Sequence, residues 1–419
     1  MQVRYVYSAC VTIDTVNVTI LCDPWFTQGI YDGSWFQYPR LLNPIETIGR
    51  ADLVYISHIH PDHYDPRFLS TYLARFPQTR LIIGRSGSPH LAHKMKLDGF
   101  AAEAIDSVRI GNTELTIIPN AAYAVNVDTA LVVRTGNLSV VNMNDNPLDP
   151  EQIARVRALC PGGRPDFALL PYAGAGPYPQ TFTFRTEAAL IAAAEKKRRR
   201  FLDLYREYIR QLDPVCCMPF AGKYYLGGRL SKLNHYRGVA DAVEVLPLEP
   251  RSIVLADGGQ ARYDLTSRTA SALRTEPYSS NEISDFLADI EAATFDYEKE
   301  LDFRSRISLP FLPLLNAAKE KARKKVRLSE PYWLCIQPNL TGKYFVFNVA
   351  SDEAVKILGT LDDSLTPRAE IQIDQRYLFG LLTRLYHWNN AEIGSHYRTN
   401  RVPDIFIREV YDYLDILQV

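Results

Sequence analysis

The sequence predicts an α+β protein: an αββα-like sandwich over residues 1–265, a connecting segment at 266–300, and a smaller α+β domain at 301–419. Three observations carry that prediction. Short β-rich runs separated by turn residues fill the stretch from Val3 to about Leu148. One long helical pattern occupies residues 185–212. Between residues 250 and 300 the composition shifts to Ser, Thr, Arg and acidic residues, which marks a boundary before strand patterns resume.

The elements follow in chain order. "MQVRYVYSACVTIDTVNVTILCDPW" alternates apolar and polar residues as half-buried strands do, and it lacks the continuous apolar core of a signal sequence. "ADLVYIS", "TRLIIG" and "NTELTIIPN" read as strands, with "DPRFLSTYLARF" and "SPHLAHKMKLDGF" as short helices between them. "TALVV" and "LSVVNM" flank Thr135-Gly136-Asn137, which predicts a hairpin with a short glycine-containing loop. In the long helix, Phe201, Leu204, Tyr205, Tyr208, Ile209 and Leu212 recur at helical spacing. Its run Lys196-Lys197-Arg198-Arg199-Arg200 reads either as a solvated face or as a contact for a phosphorylated ligand. "YWLCIQP" and "YFVFNVA" open the carboxy-terminal unit as strands, and that unit is expected to be sterol-carrier-like or a lid.

Composition narrows the function. The 419 residues carry 47 basic and 48 acidic side chains, so the global balance calls for neither nucleic acid nor an anionic membrane. The cysteines at 10, 22, 160, 216, 217 and 335 form no Cys-x-x-Cys pair in a chain too large to need disulfide staples, so free thiols and a cytoplasmic location are expected. No run approaches the roughly 20 apolar residues of a membrane-spanning helix. The expected partner is a small molecule.

The chemistry concentrates in "YISHIHPDHYD", Tyr55 to Asp65, which holds three of the chain's eight histidines. A strand ending at Ser57 releases the chain into a tight loop, where His58 and His60 face one side. Asp62 and His63 then turn toward a second position close by, as two-metal sites require. Imidazole and carboxylate together suit iron, zinc or manganese. Asp62 and His63 are the expected catalytic residues.

His58-x-His60-x-Asp62-His63 resembles the signature of the metallo-β-lactamase-fold superfamily. That resemblance makes Asp23 of "DPW" a buried supporting residue and Asp145 of "VVNMND" a carboxylate shared between metals. A further set of motifs is similar, in the same order, to the corresponding portion of the CMP-N-acetylneuraminate hydroxylase family: "DPWFTQGIYDGSW", "ADLVYISHIHPDHYD", "ALLPYAGAGPYPQTF", "KKRRRFLDLYREYIRQLDPVCCMPFAGKYY" and "KLN". The similarity spans roughly residues 10 to 240. It implies hydroxylation of a polar small molecule, such as a sugar, a nucleotide sugar or a natural-product intermediate. Tyr123, Asn126 and Tyr172, with Lys223 and Tyr224 after a predicted strand end, are the expected substrate contacts.

The sequence departs from the family where electrons enter. The Cys-x-His and Cys-x-x-His pairs of a Rieske cluster are absent from it, so an external electron donor is expected. The superfamily's third histidine is missing from Asn120–Thr129, and Ala221 and Gly222 stand where a last histidine is expected. His235 is the candidate replacement ligand, with Asn120, Tyr123 and Asn126 as polar groups near the first metal. One site then has His58, His60 and Asp145, and the other has Asp62, His63 and Asp145. Such open sets favour a mono- or di-iron oxygenase. A zinc hydrolase and a binding protein with a degraded site are the alternatives. In "YHWNNAEIGSHY", His387, Asn389, Asn390, Glu392 and His396 are expected to form a second polar site or a lip over the first, with Glu392 and His396 on one helix face.

Overall fold

A computed structural model describes residues 1–85, 89–120, 128–301 and 309–419. The amino-terminal half builds two facing sheets. In the first, the alternating strands Gln2–Tyr7, Cys10–Asp14 and Thr19–Cys22 form a meander, and Leu53–Ile56, Arg80–Gly84 and Ala102–Ile105 extend it in parallel. In the second, Ser107–Ile110, Thr113–Pro119, Thr129–Thr135 and Leu138–Asn142 pair antiparallel, and Phe167–Pro171 and Cys216–Phe220 follow in parallel. The expected hairpin is present, closing at Thr135 opposite Leu138.

Alternation along these strands divides their side chains between layers. Val11, Ile20, Tyr55, Leu131, Phe167 and Met218 meet between the sheets. The outer face of the first sheet packs on helix Pro66–Arg75 through Leu69 and Tyr72, and that of the second on helix Glu187–Leu212 through Tyr205 and Ile209. The result is the predicted αββα sandwich. Each helix starts where its chemistry dictates: the Asp65 carboxylate accepts from the Phe68 amide, and the Thr186 hydroxyl from that of Ala189.

The carboxy-terminal unit is a five-stranded sheet, with Trp333–Pro338 between Tyr344–Asn348 and Arg368–Ile373, edged by Lys356–Leu358 and Tyr397–Val402. Helices Phe311–Lys325, Gln375–Leu382, Trp388–Ile393 and Arg408–Asp415 accompany it. The segment expected as a connector is built otherwise. Strands Arg262–Asp264 and Thr269–Ser271 return to pair beside Gln2–Tyr7, so the first sheet closes past residue 265. Helices Ser280–Glu291 and Asp296–Glu300 follow, and Phe295 and Tyr297 are already in the carboxy-terminal core. A sequence boundary drawn from composition misses this, because polar residues suit an edge strand as well as a linker.

The two units are joined by backbone pairing. Thr183 donates to the Thr399 carbonyl and Thr399 to that of Thr181, each at 3.0 Å. All six cysteines are buried and unpaired, and among the described residues no helix is long and apolar enough to cross a membrane.

Candidate metal centre

The register Cys22↔Tyr55 places Asp23, one residue beyond its strand, beside Ser57. Asp23 is fully buried and holds the histidine loop from below: its Oδ1 accepts from the Ser57 amide at 2.7 Å, and its Oδ2 from the Ser57 hydroxyl at 2.7 Å and His63 Nδ1 at 3.0 Å. The loop itself is a tight turn, with His63 N and Tyr64 N donating to the His60 carbonyl. On the facing sheet, Asn144 follows strand Leu138–Asn142 with φ 55°, a left-handed conformation that asparagine tolerates. Its amide donates to Asn142 Oδ1 and its side chain to the Thr129 carbonyl, so the next residue, Asp145, is turned into the gap between the sheets.

The predicted ligand residues converge there. Donor atoms of His58, His60 and Asp145 lie within 4.8 Å of one another. Asp145 presents one oxygen to each half: Oδ1 is 3.9 Å from His58 Nε2, and Oδ2 is 3.6 Å from His63 Nε2. His63 Nε2 is also 3.6 Å from Asp62 Oδ2. These gaps are too long for hydrogen bonds. His63 Nε2 and Asp145 Oδ1 are buried without a hydrogen-bond partner among the described residues. Such atoms cost about 1–3 kcal/mol each when left unsatisfied, and a divalent cation between them satisfies both. The residues therefore fit the metal that their pattern implies.

The electrostatics agree. Burial lowers the basicity of His58 and His60. Burial also opposes a charge on His63, but Asp145, Asp62 and Asp23 outweigh it and push its pKa up to about 10. Asp145 is partly buried, which opposes its charge, yet His63, His58 and His60 draw its carboxyl below the ordinary range. The metal-free cluster thus retains a proton where a metal would bind. Metal loading at the His63 position at neutral pH is expected to release about one proton and to tighten as pH rises toward 10. Calorimetry in two buffers of different ionisation enthalpy measures this, and absence of release would remove His63 from the ligand set.

Three supports complete the site: Asp128 and Tyr31, which the sequence did not single out, and Asn389, from the polar stretch expected as a lip. Asp128, on the short stretch before strand Thr129–Thr135, lines the same cavity as Asp62 and Asp145; burial, then Asp145, raises its pKa to about 7. It occupies the region where a histidine was sought, and an acid directly before a strand was the available signal. Tyr31 donates its hydroxyl to Asp62 Oδ1 at 2.6 Å. Asn389, from the carboxy-terminal unit, accepts at Oδ1 from His60 Nε2 at 3.1 Å, which leaves His60 Nδ1 facing His58 and the centre. Changing Asn389 to Leu is expected to weaken metal binding about 10–100-fold, the usual effect of losing a partner behind a ligand, with Asn389→Asp retaining most of it. Competition with a chromophoric chelator provides the readout.

Other expected site residues lie elsewhere. His235 is exposed on the short helix Gly228–Tyr236, edge-on to Tyr236, and does not join the cluster. Tyr172 is buried against the long helix and borders a pinhole of about 10 Å³, too small for a ligand. Lys223 and Tyr224 do line the cavity over the carboxylates; Lys223 is tied to Asp257 at 2.7 Å, and Tyr224 stacks on Trp35 at 3.6 Å. Asn120 is buried, its amide donating to the Asp128 carbonyl at 2.7 Å. Tyr123 and Asn126 lie outside the described residues.

Glu392 and His396 do not share a helix face. The helix stops at Ile393, and Ser395 is left-handed with φ 62°. His396 instead uses Nε2 to hold the Tyr31 carbonyl at 2.7 Å, while Tyr377 donates to Asp32 at 2.5 Å. The carboxy-terminal unit therefore grips the strained turn, with Tyr31 at φ 51° and Asp32 at φ 57°, that presents the Tyr31 hydroxyl to Asp62. Of the two readings of this polar stretch, the lip over the first site describes its position.

Residues 2–194 match the family model described as a beta-lactamase superfamily domain. This stretch is a beta-lactamase superfamily domain, and it folds as the αββα sandwich described above. A putative Rieske 2Fe-2S iron-sulfur protein of Mycobacterium tuberculosis is 32% identical over 247 residues, covering 56% of this chain and 46% of its own. A similarly named protein of Mycolicibacterium smegmatis is 30% identical over 354 residues, covering 79% and 64%, so that match extends into the carboxy-terminal unit. The cytidine monophosphate-N-acetylneuraminic acid hydroxylase of Xenopus laevis is 25% identical over 236 residues, covering 54% and 38%. The chain thus spans about half the length of the curated relatives it matches. Among solved structures, CmlA, a diiron beta-hydroxylase from Streptomyces venezuelae, aligns with 18% identity and a TM-score of 0.39, covering 58% of this chain and 50% of its own.

Proposed function

We propose that the protein is a metal-dependent oxygenase in which His58, His60 and Asp145 hold one iron, and Asp62, His63 and Asp145 hold a second where two are bound. The observation that carries this reading is the cluster itself. It contains a two-histidine, one-carboxylate group with a cavity on its open side, the ligand set that recurs in non-haem iron oxygenases. Iron bound there supplies the redox chemistry of dioxygen.

The chain's own residues do the rest. Asp23 fixes the His63 ring through Nδ1, and Asn389 fixes His60 through Nε2, so each ring turns its other nitrogen inward. Tyr31 holds one Asp62 oxygen and leaves Oδ2 toward His63. Asp128, whose carboxyl keeps a proton up to about pH 7, is placed to pass a proton at the cavity floor or to act as a further ligand. Hydroxylation places one oxygen atom in the substrate and reduces the other to water, which consumes two electrons and two protons. Those electrons come from an external donor, and the iron–sulfur names of the relatives support that class of partner.

The reading is tested by elemental analysis of protein purified without oxygen, with spectra taken before and after air is admitted. Near-stoichiometric iron and a new oxygen-dependent absorbance are expected. Zinc with no response to oxygen replaces this reading with a hydrolase, in which bound water with a pKa lowered toward ~7 attacks the substrate. A folded protein that takes up no metal leaves a binding protein.

A further inference from the structure

The cavity above Asp62, Asp128 and Asp145 has a volume of about 370 Å³, at the small end of the ~300–1,000 Å³ usual for small-molecule sites. Its walls are mixed: the charged groups Asp62, Asp128, Asp145, Arg200 and Lys223 share them with an apolar part formed by the Trp35–Tyr224 stack and by Phe201 and Leu204 of the long helix. Phe201 reaches this position because residue 174 is glycine; a Cβ there would collide with the Phe201 ring.

The charges on this wall are more selective than the basic run suggests. Lys197 donates to the Tyr178 carbonyl at 2.9 Å, Arg198 pairs with Glu195 and Glu244, and Arg199 pairs with Glu195 at 2.7 Å. Lys196 is exposed and does not line the cavity. Lys223, across the cavity, is neutralised by Asp257. Arg200 lines the cavity, and it makes no ion pair or hydrogen bond among the described residues. A guanidinium is a planar fork of donors that matches a carboxylate in two parallel hydrogen bonds. One unpaired guanidinium matches one negative charge, whereas a doubly charged phosphate monoester leaves a charge uncompensated.

We propose that the cavity selects a small organic monocarboxylate. Its anionic group pairs with Arg200 at the rim, and its apolar or ring-bearing body lies between Phe201 and the Trp35–Tyr224 stack. The metal reading above is needed only for the corollary that the far end of the molecule then lies over Asp62 and Asp145. In the metal-free protein the Asp62 and Asp145 carboxylates repel the anion, which leaves Arg200 at the rim as its partner and the charged end outward.

The test uses phenylbutanoate and its uncharged twin, phenylbutanamide, as probes of equal shape. Both are titrated by calorimetry into wild type and Arg200→Gln, in zinc-loaded and metal-free protein, with metal content measured first. Wild type is expected to bind the carboxylate on the order of tenfold more tightly than the amide, about the worth of one charge-assisted contact. Arg200→Gln is expected to remove that preference and leave amide affinity unchanged. Gly174→Ala, which displaces Phe201, is expected to weaken both probes equally. Equal binding of the two probes by wild type overturns the proposal, as does failure of both to bind. A preference that survives Arg200→Gln but vanishes with the metal also overturns it, since the anion is then on the ion. If wild type takes up no metal, the oxygenase reading fails by itself, and the Arg200 preference is judged in the metal-free protein.

Discussion

Replacing Asp145 with alanine is expected to empty the whole metal centre rather than half of it. Its two oxygens face different histidines, Oδ1 toward His58 and Oδ2 toward His63, so its loss removes a donor from each side at once. Removing a partner behind a ligand weakens metal binding about 10–100-fold, and removal of a shared ligand is expected to exceed ~100-fold. Mass-spectrometric metal counts on dialysed protein measure this, with far-ultraviolet circular dichroism to confirm folding. Alanine at His60 serves as the contrast, because its ring reaches only the His58 side and a second ion can persist. If the Asp145 variant keeps near wild-type metal, the two halves do not share it, and the bridging assignment fails.

The second large effect is on stability. Asp23→Ala leaves the Ser57 amide, the Ser57 hydroxyl and His63 Nδ1 without their acceptor in a fully buried site. Breaking a buried charged pair from one side costs about 3–5 kcal/mol. The urea midpoint of metal-free protein is therefore expected to fall markedly, with Asp23→Asn intermediate. A loss under about 1 kcal/mol would show that the loop is held by other contacts. His63 also gives a pH signature, set against its burial by Asp145 and Asp62 first and by Asp23 after them. In the fold His63 keeps its proton up to about 10, against ~6.5 in an unfolded chain. Its contribution is therefore complete below about pH 6.5 and is lost as pH rises through 10. Asp23→Ala flattens that slope.

The parts of the site that could be read from sequence are local ones. His58, His60, Asp62 and His63 sit within one strand end and one turn, so their spacing carries their geometry. Asp145 likewise ends a strand of a hairpin whose loop is visible as Thr135-Gly136-Asn137. Strand alternation and the long helix made the sandwich legible for the same reason. Asp128 was hidden because histidine was the residue sought there, although a carboxylate serves a metal equally well. His235 suggested itself by residue type alone, and its exposed helix keeps it out. Asn389 was legible only as one member of the polar stretch expected as a lip, and Tyr31 was not singled out; each gains its role from the packing of the two units.

The bond between His60 and Asn389 spans 329 positions of the chain. At a synthesis rate of ~5–20 residues per second, the histidines leave the ribosome on the order of 20–60 seconds before the amide that orients one of them. In that interval His60 lacks the acceptor that holds its Nε2 in the finished fold. The orientation of His60 is therefore a property of the finished two-unit fold and not of the strand and turn that carry the histidine.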